Sequence, residues 1–208
     1  MSTDGADHGL GIPSLTGRLV RLDTLTVDHA SALLDTVANP EVWEWKLAPY
    51  PKTEAEMRLL ISGYLIGAGT DRQSFLVSRL ADGRAIGSTT LYDLDLGNQR
   101  VEMGWTWLER AAWGHGYNED QKHLLLEYCF DVLGLKRVAW RLDSLNLRSK
   151  HALERLGFVY EGRLRSHQRR PDGSRRDSLY YSLLVEEWPT VGPRLLQMVA
   201  ERSSHSPT

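Results

Sequence analysis

The chain has a single cysteine, Cys129, in 208 residues, which excludes an intrachain disulfide and fits a reducing compartment. Cys129 falls among apolar residues at helical spacing, so a packed core thiol is expected there rather than a nucleophile. No apolar run is long enough to cross a bilayer; the most apolar window, residues 59–68, is short and interrupted. Charge of one sign is missing too. The 25 Lys and Arg nearly balance 27 Asp and Glu, which argues against nucleic acid or a membrane as a general partner. Residues 1–13 are polar and glycine-rich without an apolar h-region, so no signal peptide is expected and the protein is read as cytoplasmic. The histidines and Cys129 show no C-x-x-C or H-x-x-x-H spacing, so no metal is expected. Two nucleotide signatures are also lacking. Glu119 stands where G-x-G-x-x-G needs its third glycine, and no Gly-Lys-Ser/Thr tripeptide occurs.

What is present reads as one domain over residues 14–190, with a leader at 1–13 and a helical extension and tail at 191–208. Residues 18–25 read as a strand. Thr26 then caps a helix through Ala30, Leu33, Leu34 and Val37 that ends at Asn39-Pro40. After an aromatic loop, Trp43 to Pro51, Thr53-x-x-Glu56 forms a capping box for a second helix. Residues 74–79, 85–92 and 101–108 are strands joined by short turns, hence antiparallel neighbours. A helix over 118–133 leads to a strand at 137–143, which should therefore lie parallel to 101–108. Asn146 caps the next helix and Gly157 stops it. Residues 158–169 and 177–184 close the chain as a hairpin around Pro171-Asp-Gly-Ser174. The expected fold is thus a mixed α/β sheet, order β-α-α-β-β-β-α-β-α-β-β, mostly antiparallel with one parallel β-α-β crossover.

At that crossover sits Trp113-Gly-His-Gly-Tyr-Asn118. Gly114 and Gly116 let the backbone turn tightly and approach a ligand. The unpaired N–H groups of the first helical turn and the helix dipole make the bend suited to a phosphate, although a plain strand-to-helix turn is the alternative reading. Glu119 and Asp120 favour the dipole and are expected to point to solvent, since a carboxylate facing a phosphate is repelled.

Three segments together resemble the GNAT acyl-CoA N-acyltransferases, in the branch of the RimJ/RimL-like ribosomal-protein N-terminal acetyltransferases. They are residues 113–119, similar to the family's Gly-x-Gly pyrophosphate loop; residues 143–158, similar to its N-x-x-S…GF stretch; and Glu161-Gly-Arg-Leu-Arg165 with Arg170-Pro-Asp-Gly and Arg176-Asp, similar to its final hairpin. The likeness runs over roughly residues 15–188. One departure stands out: Ala111 occupies the place, three before the first glycine, where the family often has Gln or Arg, and Arg110 comes one place early.

The resemblance implies an acyl-CoA co-substrate, acetyl-CoA or another such as succinyl-CoA. Trp113, Gly114, His115, Gly116, Tyr117 and Asn118 would hold its diphosphate, and Met103, Gly104 and Trp105 its pantetheine arm between two splayed strands. Asn146 and Ser149 would lie near the thiol, each with helix capping as the alternative role. Direct attack needs a neutral amine, and alkyl amines have a pKa of about 10.4, so a base or a water chain is expected. Glu102, on the strand bordering the cleft, and His167, on the hairpin, are the candidate bases, with Ser149 the candidate proton donor to the thiol. Positioning alone is the other possibility. The acceptor would be a protein N-terminus, a lysine or a small amine, and a homodimer is one arrangement the family uses. Six arginines on the hairpin read as a solvated ribbon, an acidic acceptor, an acidic acyl group or RNA docking. A non-catalytic acyl-CoA sensor or RNA-docking module is the rival from another class.

Overall fold

The computed structural model describes residues 11–203. The expected leader therefore lies outside the described residues except for its last three, and the tail beyond 203 lies outside them too. Within that leader Ile12 is buried; its N–H donates to Gln73 Oε1 at 3.1 Å and its carbonyl accepts from Gln73 Nε2 at 2.9 Å.

The elements are β1 (Leu15–Thr16), β2 (Val20–Thr24), α1 (Ala30–Thr36), α2 (Glu54–Leu65), β3 (Gln73–Arg79), β4 (Ala85–Asp95), β5 (Arg100–Leu108), α3 (Tyr117–Glu127), β6 (Arg137–Asp143), α4 (Leu147–Leu156), β7 (Val159–Arg169), β8 (Arg175–Leu184) and α5 (Trp188–Ser203). They build one eight-stranded sheet in the order β1-β2-β3-β4-β5-β6-β8-β7. Every neighbouring pair is antiparallel except β5 and β6, as the sequence reading requires. The two-residue β1 and the insertion of β8 between β6 and β7 were not expected from the sequence.

Local chemistry explains the helix ends. Thr53 Oγ1 accepts from Glu56 N, and Glu56 Oε2 accepts in return from Thr53 N at 3.0 Å, the predicted box. Asn146 Oδ1 accepts from Ser149 N at 3.0 Å, and Gly157 ends α4 at φ +95°. The first expected helix is shorter, because Val27–His29 is a 3-10 turn before α1. The last turn of the long central helix widens into a π-helical segment, Tyr128–Val132, which turns both Cys129 and Phe130 into the core.

Successive β3 residues serve opposite faces of the sheet. Phe75 and Val77 join a core with α3, α4 and α5, while Leu76 joins a second core with α1, α2, Trp43 and Trp107. Burial of apolar surface on both faces thus fixes the middle of the sheet, and the functional cleft opens where that sheet divides.

Candidate functional site

β5 and β6 pair only at Arg100–Arg137, Val101–Val138 and Glu102–Ala139, then part, although β5 runs on to Leu108 and β6 to Asp143. The cause lies on the other side of β5. Against β4, Thr90 faces Gly104 but Ser88 faces Trp107, so β5 carries an extra residue there. Trp105, in the bulge, takes φ +50°. Its ring is clamped between Tyr64 and Tyr92, at 4.9 and 5.0 Å between centroids, which supports that unusual backbone. The parted strands open a cleft of about 900 Å³ that reaches from the aromatic loop after α1 to the head of α3.

At the α3 end, Gly114 and Gly116 adopt φ +85° and +86°, the left-handed region that favours glycine. The N–H groups of residues 114–119 have no acceptor among the described residues; the first amide bonded is that of Asp120, to Gly116 O. Unpaired amides at a helix head, with the dipole behind them, form an anion site. The end of α5 rests on the bend, and a Cβ on Gly116 would sit 3.1 Å from Leu19 Cδ1 and 3.4 Å from Arg202 Cβ.

Glu119 and Asp120 correct the sequence expectation, since both are buried rather than solvent-facing. Asp120 accepts from the amides of Arg18, Leu19 and Val20, tying the start of β2 to α3. Glu119 Oε1 takes Arg155 Nη2 and Arg202 Nη1, each at 3.1 Å, so the one carboxylate in this wall is neutralised with a cation to spare. Arg155 and Arg202 were missed by sequence reasoning. Nothing local marks them; α4 and α5 bring them to α3 only in the tertiary fold.

Of the residues expected to hold a coenzyme, Met103, Gly104, Trp105, Trp113, Gly114 and Asn118 line the cleft. Asn146 and Ser149 line it as well, at the head of α4. His115 is exposed beside the bend, and Gly116 and Tyr117 pack away from the cleft against Leu19, α5 and the core. The close neighbour of Gly104 is the Tyr92 ring, 3.1 Å from where a Cβ would lie. Glu102 is not among the lining residues; its Oε2 lies 3.1 Å from Arg141 Nε, an ion pair without hydrogen-bond alignment. His167 is also absent from the lining, with Nδ1 3.0 Å from Ser178 Oγ; burial and the nearby Arg141 and Arg176 push its pKa down.

The other end of the cleft is made of side chains. Lys46, from the aromatic loop, donates to Thr106 O at 2.5 Å and lies 5.6 Å from the centroid of the Trp107 ring. Burial, then the charges of Arg148, Arg176 and Lys122, lower its pKa to about 7. Lys122, donating to Asn118 Oδ1, is lowered by burial to about 8. The Arg148 guanidinium lies 3.5 Å from the centre of the Trp113 ring.

A sheet that splits around a bulged strand, with an amide-lined helix head at the mouth of the split, suits a long ligand carrying phosphates. Comparison with known proteins agrees. A profile for the acetyltransferase (GNAT) domain matches residues 19–159, and the chain belongs to that family. YdaF of Bacillus subtilis (strain 168), named for ribosomal N-acetyltransferase activity, is 36% identical over 109 residues, a match covering 52% of this chain and 58% of that protein. A crystal structure from T. thermophilus, assigned to the acetyltransferases, is 37% identical over 89% of this chain and 96% of its own, with a TM-score of 0.81. RimJ of Mycobacterium smegmatis, solved with CoA-disulfide, has a TM-score of 0.79 over 94% and 98% of the two chains at 22% identity, which shows a common fold.

Proposed function

We propose that this GNAT domain moves an acyl group, acetyl in the simplest case, from acyl-CoA to a primary amine by direct attack within a ternary complex. The observation that carries this reading is the row of unpartnered amides from 114 to 119, at a bend where Gly114 and Asn118 line the cleft between β5 and β6. Those amides would grip the diphosphate, with Arg155 and Arg202 adding positive charge beside it. The gap would take the pantetheine arm as a pseudo-strand against β5, beside the bulge at Trp105. An acyl thioester supplies an activated carbonyl and a thiolate leaving group. The chain's part is to fix that carbonyl near Thr106 and Ser149 and to admit the amine past the loop of Trp45 and Lys46. Catalysis then rests chiefly on positioning, with the Ser149 hydroxyl, which lines the cleft, as the donor to the departing sulfur.

For the acceptor we favour a protein N-terminus ahead of a lysine or a small amine; that YdaF is named as a ribosomal N-acetyltransferase supports a ribosomal amine. Calorimetric titration with CoA and acetyl-CoA tests the grip. A mass-spectrometric screen of amine acceptors tests the transfer. Micromolar CoA binding and a mass gain of one acetyl group on an amine are expected; absence of any CoA uptake overturns the reading.

A further inference from the structure

Three hairpin arginines find ordinary partners: Arg163 donates to Asp177, Arg170 to Asp143, and Arg175 to Ser166. Arg176 does not. It is 6% exposed, its Nε is buried without an acceptor, and its side chain makes no hydrogen bond to the described residues. The nearest carboxylate oxygen, Asp143 Oδ2, is 4.0 Å away and already accepts from Arg170 Nε at 2.7 Å. Burying a guanidinium whose one carboxylate neighbour is distant and shared is costly, so such a group calls for a ligand.

Arg176 lines the cleft; Asp143 is the carboxylate that acts on it, against the like charges of Arg141 and Arg170. Lys46 feels it from the aromatic loop, together with Arg148 and Lys122, and Arg141 opposes it from β6. The acidic residues lining the cleft are Glu119 and Asp143, and both are committed, the first to Arg155 and Arg202, the second to Arg170. Glu44 and Glu41 act on Arg148 from the outer lip. The end of the cleft away from the α3 amides therefore holds more cations than carboxylates, with Asp143 shared between Arg170 and Arg176.

We infer that Arg176, with Lys46 across the cleft, forms a carboxylate-binding subsite, so that one of the two reactants carries a carboxylate close to the reacting carbon. A planar guanidinium with unused donors matches that group in shape. The carboxylate comes either from a dicarboxylic acyl chain, as in succinyl-CoA, or from the acceptor beside its amine. This rests on the acyl-CoA transferase reading above and narrows its substrates.

The test is a set of paired titrations on the full chain. In the acyl arm, succinyl-CoA is compared with acetyl-CoA. In the acceptor arm, the protein saturated with CoA is titrated with N-acetylphenylalanine and with its uncharged amide, as product mimics. One carboxylate-bearing ligand is expected to bind about tenfold or more tighter than its neutral partner. Arg176→Gln should bring that ratio close to one, Arg176→Lys should restore part of it, and Lys46→Met should lower it on its own. A preference in the acyl arm assigns the carboxylate to the donor, and one in the second arm assigns it to the acceptor. Ratios within threefold of one in both arms, or a preference that survives Arg176→Gln, overturn the subsite while leaving the transferase reading intact. Failure of both acyl-CoAs to bind overturns the two together.

Discussion

The two ends of the cleft are built from different materials. At the head of α3 the candidate binding groups are main-chain amides, and the charged side chains nearby have partners: Glu119 two arginines, Asp120 three amides, Lys122 the Asn118 carboxamide. At the far end the groups are side chains, mostly cations, and Arg148 and Arg176 bear on Lys46. A site of amides needs only the right backbone, is indifferent to pH, and suits a ligand part that never changes. A site of strained cations can be retuned by single substitutions and suits the part that sets specificity. Breaking the first should cost stability and coenzyme binding together; altering the second should change selectivity and pH response.

The largest effect is expected at Asp120. Replacing it with alanine strands the amides of residues 18–20 and unties β2 from α3, for about 3–5 kcal/mol and roughly 10 °C of melting temperature. Gly17→Ala attacks the same joint from the other side, because its Cβ would lie 2.4 Å from Asp120 Oδ2. A thermal melt of each variant checks this; a loss below about 1 kcal/mol for Asp120→Ala would mean the tie is not structural.

Next comes Gly116→Val, which forces a branched side chain into φ +86° against Leu19 and α5. A loss of about 2–3 kcal/mol in stability and at least tenfold in CoA affinity is expected. Gly114→Ala is the milder partner. Its φ is +85° but a Cβ there meets nothing within 4 Å, so strain alone remains, about 1 kcal/mol. Equal effects at the two glycines would show that packing by α5 does not matter.

Much of this was legible beforehand, for a physical reason. Capping boxes, left-handed glycines and alternating strands are local codes, so Thr53, Asn146, Gly157 and the strand at 137–143 could be read without the fold. The glycine-spaced bend and its place at the parallel crossover were local in the same sense. What escaped depends on distant segments. Glu119 and Asp120 lie in a helical first turn, where solvent is the default, yet α5 and residues 17–20 close over them. Arg176 looked like one more arginine on a solvated ribbon, and only the insertion of β8 beside β6 aims it into the cleft. Lys46 carried a faint signal as the lone lysine of an aromatic loop, but its environment comes from Trp107, Arg148 and Arg176, far along the chain.

The far end is tested first by pH. Lys46 has its pKa lowered to about 7 in the folded state by burial and by its cationic neighbours, against about 10.4 when unfolded. Between those values the unfolded chain holds a proton that the folded chain lacks, so stability rises with pH across the window; below pH 7 both forms are charged and the full penalty remains. Lys46→Met should therefore stabilise the protein by about 1–2 kcal/mol at pH 6, with the gain shrinking as pH climbs toward 10. Lys122 adds a slope of the same sign in both proteins, so the difference between their urea midpoints isolates Lys46. A gap that does not vary with pH would place the Lys46 ammonium in solvent.

The smallest effect is expected at Glu102, and it bears on how the reaction is driven. A general base in the cleft contributes about 10²- to 10⁴-fold, which its amide would forfeit. Glu102 instead stands behind the cleft lining and faces Arg141, a lining residue 5.5 Å from the centre of the Tyr92 ring. Glu102→Gln keeps the shape of that arrangement and removes one charge, so kcat should fall by less than about threefold, under 1 kcal/mol. The indirect route has its own signature. With the glutamate charge gone, Arg141 adds to the field of Arg176 and Lys46, and KM for a carboxylate-bearing reactant should drop while KM for its neutral analogue holds. A hundredfold loss of kcat with both reactants would make Glu102 the base after all. It would also mean that the far end of the cleft acts through proton transfer and not through its charge alone.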